Sequence, residues 1–338
     1  MRRLKICLAG SGGGHLRQLL DLEPVWSRHD AYFVTEGTAL GRSLAEQHPV
    51  DFVAHYSFGQ TRLGQPLRML RGARDNYLSS LRSLRVRRPD VVLTTGAGAM
   101  FATAVLGRAR GAHVIAIESF ARFHQPSLFG RMMKPFAHDQ IVQSAPLAAR
   151  FPGAPVFDPL KLLDGPRPAK EPLVFATVGA TLAYPRMTNA VIEAKRSGAI
   201  VEEVVLQTGE GGQVAVDLPG LTQLETLPFD EVQALLKRAD IVITHGGTGS
   251  IITALREGCR VIALPRRFAL GEHYDDHQEQ IVGAFAERGL LQRVDEVADL
   301  PAALARARAT QPVMATTDPS ALMAWLDERL ERLQKGRF

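Results

Sequence analysis

The sequence predicts an α/β protein built from two Rossmann-like domains, each a doubly wound parallel sheet, facing a cleft. Three observations carry that prediction. Short apolar runs of strand length alternate with helical patterns along the chain, a break rich in proline and glycine divides it near the middle, and several strand-to-helix junctions are glycine-rich. Parallel strands buried on both faces read as continuous apolar runs, and each needs a crossover, usually a helix, before the next.

In the first half, strands are expected at residues 5–9, 31–35, 50–54, 91–94, 113–117 and 140–143. In the second half they are expected at residues 173–178, 203–207, 221–224, 241–244 and 261–264. Helical patterns at 15–26, 98–109, 229–238 and 250–257 separate some of these. The basic start Arg2, Arg3, Lys5 precedes an apolar run too short for a secretion signal, and Gly10 ends it, so a buried first strand is the better reading. The prolines and glycines from Pro152 to Pro172 cannot lie inside regular elements. The expected division is therefore a domain over 1–155, a proline-rich linker over 156–172, a domain over 173–317, and a terminal helix over 318–338. Asp318-Pro319 opens that helix as an N-cap followed by proline.

A chain of 338 residues suits two domains, and 46% hydrophobic with 22% charged residues is globular rather than disordered composition. The 2 cysteines, Cys7 and Cys259, exclude a disulfide framework and a four-thiolate zinc site, which points to a reducing compartment. No apolar run approaches the roughly 18 residues that span a bilayer. The expected location is the cytoplasm, peripheral on the inner face of the plasma membrane. Charge is uneven: the first 160 residues carry 20 Lys+Arg against 11 Asp+Glu, and the remainder 20 against 24. A basic half suggests an anionic partner on that side.

The sharpest motif runs from strand 241–244 through His245-Gly246-Gly247-Thr248-Gly249-Ser250 into a helix. Glycines let a phosphate approach the backbone, and the unpaired amides of a first helical turn attract it. A second loop, Gly10-Ser11-Gly12-Gly13-Gly14-His15, also follows a strand. It partly matches a dinucleotide fingerprint, with Glu36 near the ribose-binding position. His15 stands where the third glycine belongs, however, and that argues against NAD. A third loop, Thr177 to Thr181, follows the first strand of the second half.

With these motifs the chain resembles a GT-B glycosyltransferase of family 28. It more closely resembles a fusion of the two-subunit UDP-sugar transferases of bacterial exopolysaccharide synthesis, relatives of a two-subunit transferase of the eukaryotic dolichol pathway. The first half resembles the acceptor-binding subunit through Gly10–His15, Thr95-Gly96-Ala97-Gly98, Glu118-Ser119-Phe120-Ala121-Arg122 and Ser127-Leu128-Phe129-Gly130. The second resembles the donor-binding subunit through Thr177-Val178-Gly179, Gln207-Thr208-Gly209, Leu227-Pro228-Phe229, His245-x-Gly247-x-x-Ser250 and the segment 271–278.

The resemblance implies that Gly246, Gly247, Thr248, Gly249 and Ser250 hold the UDP diphosphate beside His245. It implies that Gly179 and Thr181 close over the phosphates, with Thr208 in the neighbouring loop, and that Phe229 marks the uracil loop. Asp276 and Gln278 would face the sugar hydroxyls. Thr253 stands where relatives often carry a ribose-binding glutamate. The implied reaction is inverting transfer of a sugar, glucuronic acid first, from UDP to a polyprenyl-diphosphate-linked saccharide. Galactose or N-acetylglucosamine are alternatives, as is a UDP-sugar 2-epimerase of the same architecture. Helix amides can offset the leaving-group charge, and no Asp-x-Asp motif is present, so no metal and no cofactor is expected.

A base must meet the acceptor hydroxyl. Glu118, after strand 113–117, and His15, at a helix start that favours the neutral imidazole, are the candidates. Gly13, Gly14 and Arg122 fall on the same acceptor side. Residues 62–88 hold eight arginines, Arg68 and Arg71 among them, against Asp75 alone, with leucines at helical spacing. An anionic membrane surface suits such a helix, and a core-facing leucine stripe with solvated arginines is the competing reading. Residues 123–136 are a second membrane candidate. No nucleic-acid-binding module is visible.

Overall fold

The computed structural model describes residues 2–56, 66–179, 182–273 and 276–336, with the backbone alone for Pro66 and Arg68. The chain forms two units. One comprises Met1–Pro159 with Asp318–Phe338, the other Leu160–Thr317.

The first unit is built on β1 (Lys5–Gly10), β2 (Asp30–Glu36), β3 (Val50–Val53), β4 (Val91–Gly96), β5 (His113–Ile117) and β6 (Asp139–Ile141). All pair in parallel, in the order β3-β2-β1-β4-β5-β6. Side chains alternate across the sheet. Leu4, Ile6 and Leu8 enter one core with Leu16, Leu19 and Trp26, while Cys7 and Ala9 enter another with Tyr32, Val34 and Val114. Burial on both faces explains why these strands read as unbroken apolar runs.

The expected helix over 15–26 is two helices, Gly14–Leu20 and Glu23–Trp26. Pro24 fits the first turn of the second and cannot sit inside a continuous one.

The second unit begins with β7 (Leu160–Leu162) and then forms β8 (Glu171–Thr177), β9 (Glu203–Gln207), β10 (Leu221–Leu224), β11 (Ala239–His245), β12 (Arg260–Leu264) and β13 (Gln292–Arg293). From β8 to β13 the order is β10-β9-β8-β11-β12-β13, again all parallel. Strand order therefore reverses between β1 and β4 in one unit and between β8 and β11 in the other. At such a point the connecting loops diverge and leave room for a ligand at the strands' carboxyl ends.

Two stretches differ from expectation. Residues 156–172 are not a plain linker: β7 pairs antiparallel with β14 (Ala315–Thr317), and Arg167 bonds the Asp240 carboxylate and the Gly258 carbonyl. The prolines punctuate that segment, and the residues between them are still free to pair.

The terminal helix, Ser320–Gln334, is an integral part of the first unit. Its Leu322, Leu326 and Leu330, four apart on one face, complete the core beneath β1. Asp139 accepts from Arg329 at 2.8 Å and contacts His113 at 2.6 Å, which ties the helix to β5 and β6. The helix starts two residues later than expected, with Asp318 accepting from the Ser320 amide.

Candidate functional site

In the second unit β11 delivers His245 to the switch point, and the chain turns through Gly246 and Gly247 into the helix Thr248–Arg256. No side chain caps this helix, so its first-turn amides are presented at the carboxyl end of the sheet. The His245 ring packs between two glycines. A Cβ at Gly247 would lie 2.4 Å from its Nε2, and one at Gly179 would lie 2.8 Å from its Cε1. Gly246 backs onto the Gln278 side chain, where a Cβ would come within 2.6 Å of the Gln278 Cβ. Gly249, by contrast, opens onto free space.

Three further loops gather at the same end of the sheet. After β8, the Thr177 hydroxyl donates to Gln207 Oε1 at 2.7 Å and accepts from the Gly179 amide at 3.1 Å, shaping the turn over His245. After β9, Gly209 has φ +78°, and a Cβ there would sit 2.8 Å from the Ala183 amide nitrogen. After β12, Arg266 donates to the carbonyls of Val178, Leu182 and Ala183 at 2.7 to 3.0 Å, and its own amide donates to Gln278 Oε1 at 3.0 Å. Burial, with Arg266 nearby, pushes the His245 imidazole down to about 4, so it is neutral at physiological pH.

The structure thus brings His245 to Ser250 together with Gly179. Gln278 is buried and its side-chain carbonyl accepts from the Arg266 amide. Thr208 is also buried, its hydroxyl turned onto the Gly209 and Leu224 carbonyls. Asp276 is exposed and accepts from the Phe268 amide. Phe229, the first residue of helix Phe229–Arg238, is 76% exposed. The Thr253 hydroxyl donates to the Gly249 carbonyl at 2.7 Å. Thr181 lies outside the described residues. Among the described residues, no three His, Cys, Asp or Glu side chains converge as a metal centre would require.

Sequence reasoning missed the role of Arg266. An arginine two residues past an apolar strand was the available signal. Its guanidinium is turned onto loop carbonyls, and Arg267 is paired with Glu279, Asp295 and Glu296.

At the first unit's switch point, the Ser11 amide donates to the Gly96 carbonyl at 2.7 Å and Thr95 Oγ1 donates to the His15 carbonyl at 2.9 Å. Gly13, with φ +80°, and Gly14 are exposed at the turn. The Gly12 amide donates to Glu36, which also contacts His55. Burial raises the Glu36 carboxyl, but the His55 and Gly12 contacts outweigh it and hold it below its ordinary value. An anionic carboxylate therefore already accepts from that amide.

His15 is partly exposed beside Gly96. Glu118 is only 2% exposed, accepts from the Ser119 and Ser127 amides at 3.0 and 3.1 Å, and leaves Gly130 no room for a side chain. Burial dominates and raises its pKa. Arg122 lies in the same loop, its amide donating to the Ser119 carbonyl.

The helix Pro66–Arg87 has features of both readings. The face turned inward carries Gly72, Ala73, Asn76, Ser80 and Ser83; Asn76 donates to the Ala54 carbonyl, Ser80 pairs with Thr103, and Ser83 donates to Asp51. Leu67, Leu70 and Leu78 are 74%, 58% and 52% exposed, beside exposed Arg71, Arg74, Arg82 and Arg85. Leu67, Leu70 and Leu78 face outward, while Leu84 is buried with the inward face and Leu81 is half-buried. The Arg68 side chain is outside the described residues.

Two doubly wound parallel sheets in one chain, the second with a strand–glycine turn–helix at its switch point, are the GT-B architecture. Residues 173–325 match the glycosyltransferase family 28 C-terminal domain, and the chain is a glycosyltransferase. It is 29% identical over 191 residues to the UDP-N-acetylglucosamine transferase subunit ALG13 of Eremothecium gossypii, covering 47% of this chain and 89% of that protein. It is also 29% identical over 322 residues to the UDP-N-acetylglucosamine--N-acetylmuramyl-(pentapeptide) pyrophosphoryl-undecaprenol N-acetylglucosamine transferase of Desulforudis audaxviator, covering 85% and 84%. Among solved structures, the glycotransferase of kitacinnamycin superposes with a TM-score of 0.64 at 18% identity, over 100% of this chain and 96% of that one. The UDP-GlcNAc 2-epimerase of Methanocaldococcus jannaschii superposes with a TM-score of 0.61 at 10% identity, over 91% and 92%. At these identities the superpositions speak to the fold alone.

Proposed function

We propose that the chain moves a sugar from a UDP-sugar onto a polyprenyl-diphosphate-linked saccharide, with inversion and without a metal, while docked on an anionic membrane surface. The observation that carries this reading is the uncapped helix Thr248–Arg256 at the His245-Gly246-Gly247 turn, with the loop after β8 packed against it. Its amides offset the charge that grows on UDP as the glycosidic bond breaks, the task a metal performs elsewhere. The acceptor hydroxyl attacks the anomeric carbon from the face opposite UDP, so an α-linked donor gives a β-glycoside.

His15 is the better-placed base, since its imidazole is partly exposed at the end of β1. Glu118, with backbone amides on both oxygens, orders the acceptor-side loop instead.

The outward leucines of helix Pro66–Arg87, ringed by arginine, support membrane docking, and a lipid-linked acceptor fits that surface. The two relatives are named as N-acetylglucosamine transferases, which puts that sugar first among the donors. A uronate carboxylate would find the guanidinium groups of Arg266 and Arg267 already partnered. Exopolysaccharide assembly remains the proposed setting.

The test is incubation with a panel of UDP-sugars and membrane extract, following UDP release and label in the lipid phase. Label in lipid with one donor supports the reading. UDP release without acceptor, with a change at C2 of the sugar, would instead identify an epimerase, whose fold this chain shares.

A further inference from the structure

Arg266 sits at the carboxyl end of β12 and is 3% exposed. Its guanidinium lies over the Tyr184 ring, 4.5 Å from the ring centre. Tyr184 is itself buried and fixed, donating to the Pro265 carbonyl at 3.0 Å. Neighbouring Arg186 is neutralised by Glu272 through two contacts of 2.7 and 2.9 Å. Among the described residues no carboxylate pairs with Arg266; its hydrogen-bond acceptors are the three carbonyls of Val178, Leu182 and Ala183.

A buried guanidinium without a contacting carboxylate is an expensive arrangement, and among the described residues only loop carbonyls and, without contact, Glu272 offset its charge. Burial indeed lowers its pKa. The carbonyl dipoles that solvate it all belong to the loop after β8, which packs against His245, and its amide is fixed to Gln278, which backs the Gly246 turn. One arginine therefore joins the elements that shape the donor site and leaves net positive charge behind them. A nucleoside diphosphate held by the helix amides is the anion that this buried charge would favour at a distance.

We propose that Arg266 is the positioning residue of the donor site: it clasps the loop after β8 to the His245 turn and supplies the fixed positive potential that favours the donor's diphosphate. This rests on the donor-site reading above and assigns it an electrostatic residue the glycine motif does not contain. Arg266 acts through the loop and through space, with the helix amides making the contact.

The experiment compares wild type, Arg266→Gln and Arg266→Lys by calorimetry with UDP, by steady-state kinetics, by thermal melting, and by titration of the His245 ring proton in NMR. Arg266→Gln is expected to weaken UDP binding at least tenfold and to raise the His245 pKa from about 4. Arg266→Lys keeps the charge but cannot span three carbonyls. It is expected to hold UDP affinity near wild type, leave His245 low, and lose at least tenfold in kcat. A folded Arg266→Gln protein that binds UDP within twofold of wild type, with His245 unmoved, overturns the proposal. A structural role would lower the melting temperature and move neither quantity. If Arg266→Gln does not fold, the lysine variant decides: unchanged kcat overturns the proposal, a tenfold loss at near-normal KM supports it. Wild type giving no heat with UDP is a different failure, since it removes the donor-site reading itself.

Discussion

His245 packs against Gly179: a Cβ at position 179 would fall 2.8 Å from the imidazole Cε1, and Gly179 holds φ +95°. Both conditions exclude a side chain there. Gly179→Ala must place a Cβ in the left-handed region, at about 1–2 kcal/mol, and also displace a packed ring. The expected outcome is UDP affinity reduced at least tenfold by calorimetry with a small loss in melting temperature. Unchanged affinity would mean the loop does not sit against His245 when nucleotide binds.

Glu118 and His15 separate by their stability readouts. Glu118→Gln turns an amide N–H2 toward the Ser119 or Ser127 amide, and a buried unsatisfied donor costs about 1–3 kcal/mol. The expected result is a melting temperature lower by several degrees, with turnover falling as the loop loosens. His15→Ala should leave the melt nearly unchanged and lower kcat about 10²-fold. The reverse pattern, a stable Glu118→Gln with 10²-fold lower kcat, would make Glu118 the base.

The strands were legible because burial on both faces turns them into apolar runs, as in β1, β5 and β11, and the His245 turn was legible because glycine has few reasons to cluster after a strand. Other features depend on contacts that no local pattern records. Leu160–Leu162 and Ala315–Thr317 are each three residues long and find each other across the second unit. The helix Pro66–Arg87 has leucines at core spacing, yet only Leu84 is buried, and near Gly72 the helix packs so closely that the His55 carbonyl would lie 2.8 Å from a Cβ there. Gln278 and Thr208 matched a donor motif by type, but burial assigns their hydrogen-bonding capacity to the protein itself.

The outward leucines carry the membrane prediction. Replacing Leu67, Leu70 and Leu78 together by serine removes no core contact, so stability should change by no more than about 0.5 kcal/mol per site. Each leucine buried in lipid contributes roughly 1.5–3 kcal/mol, so flotation with anionic vesicles should fall well over tenfold. Arg71→Glu with Arg74→Glu should weaken it further and in a salt-sensitive way, by about 1 kcal/mol per arginine lost. Co-flotation equal to wild type would remove the membrane from the mechanism.

The terminal helix should behave as part of the first unit's core. Leu326 is fully buried between Leu322 and Leu330, and Leu326→Ala is expected to destabilise that unit by about 2–5 kcal/mol. Thermal melting should show one transition moving down while a transition belonging to the second unit stays in place. Movement of neither would mean the helix is not packed on the β1 core.

The pH dependence of stability follows from His245. Burial holds its imidazole at about 4 in the folded chain, against an ordinary value of 6.5. As pH falls through 6.5 the unfolded chain takes up a proton that the native ring refuses. The contribution of the neutral ring is therefore complete above 6.5 and is lost progressively down to about 4, with a slope of at most about 1.4 kcal/mol per pH unit. Urea denaturation at pH 7, 6 and 5 should show this fall in wild type and a shallower one in His245→Asn. Above pH 6.5 the ring is neutral in both folded and unfolded chains, so the two proteins should keep a constant stability difference there. Identical slopes below pH 6.5 would mean that His245 titrates near its ordinary value, open to water rather than packed between Gly179 and Gly247.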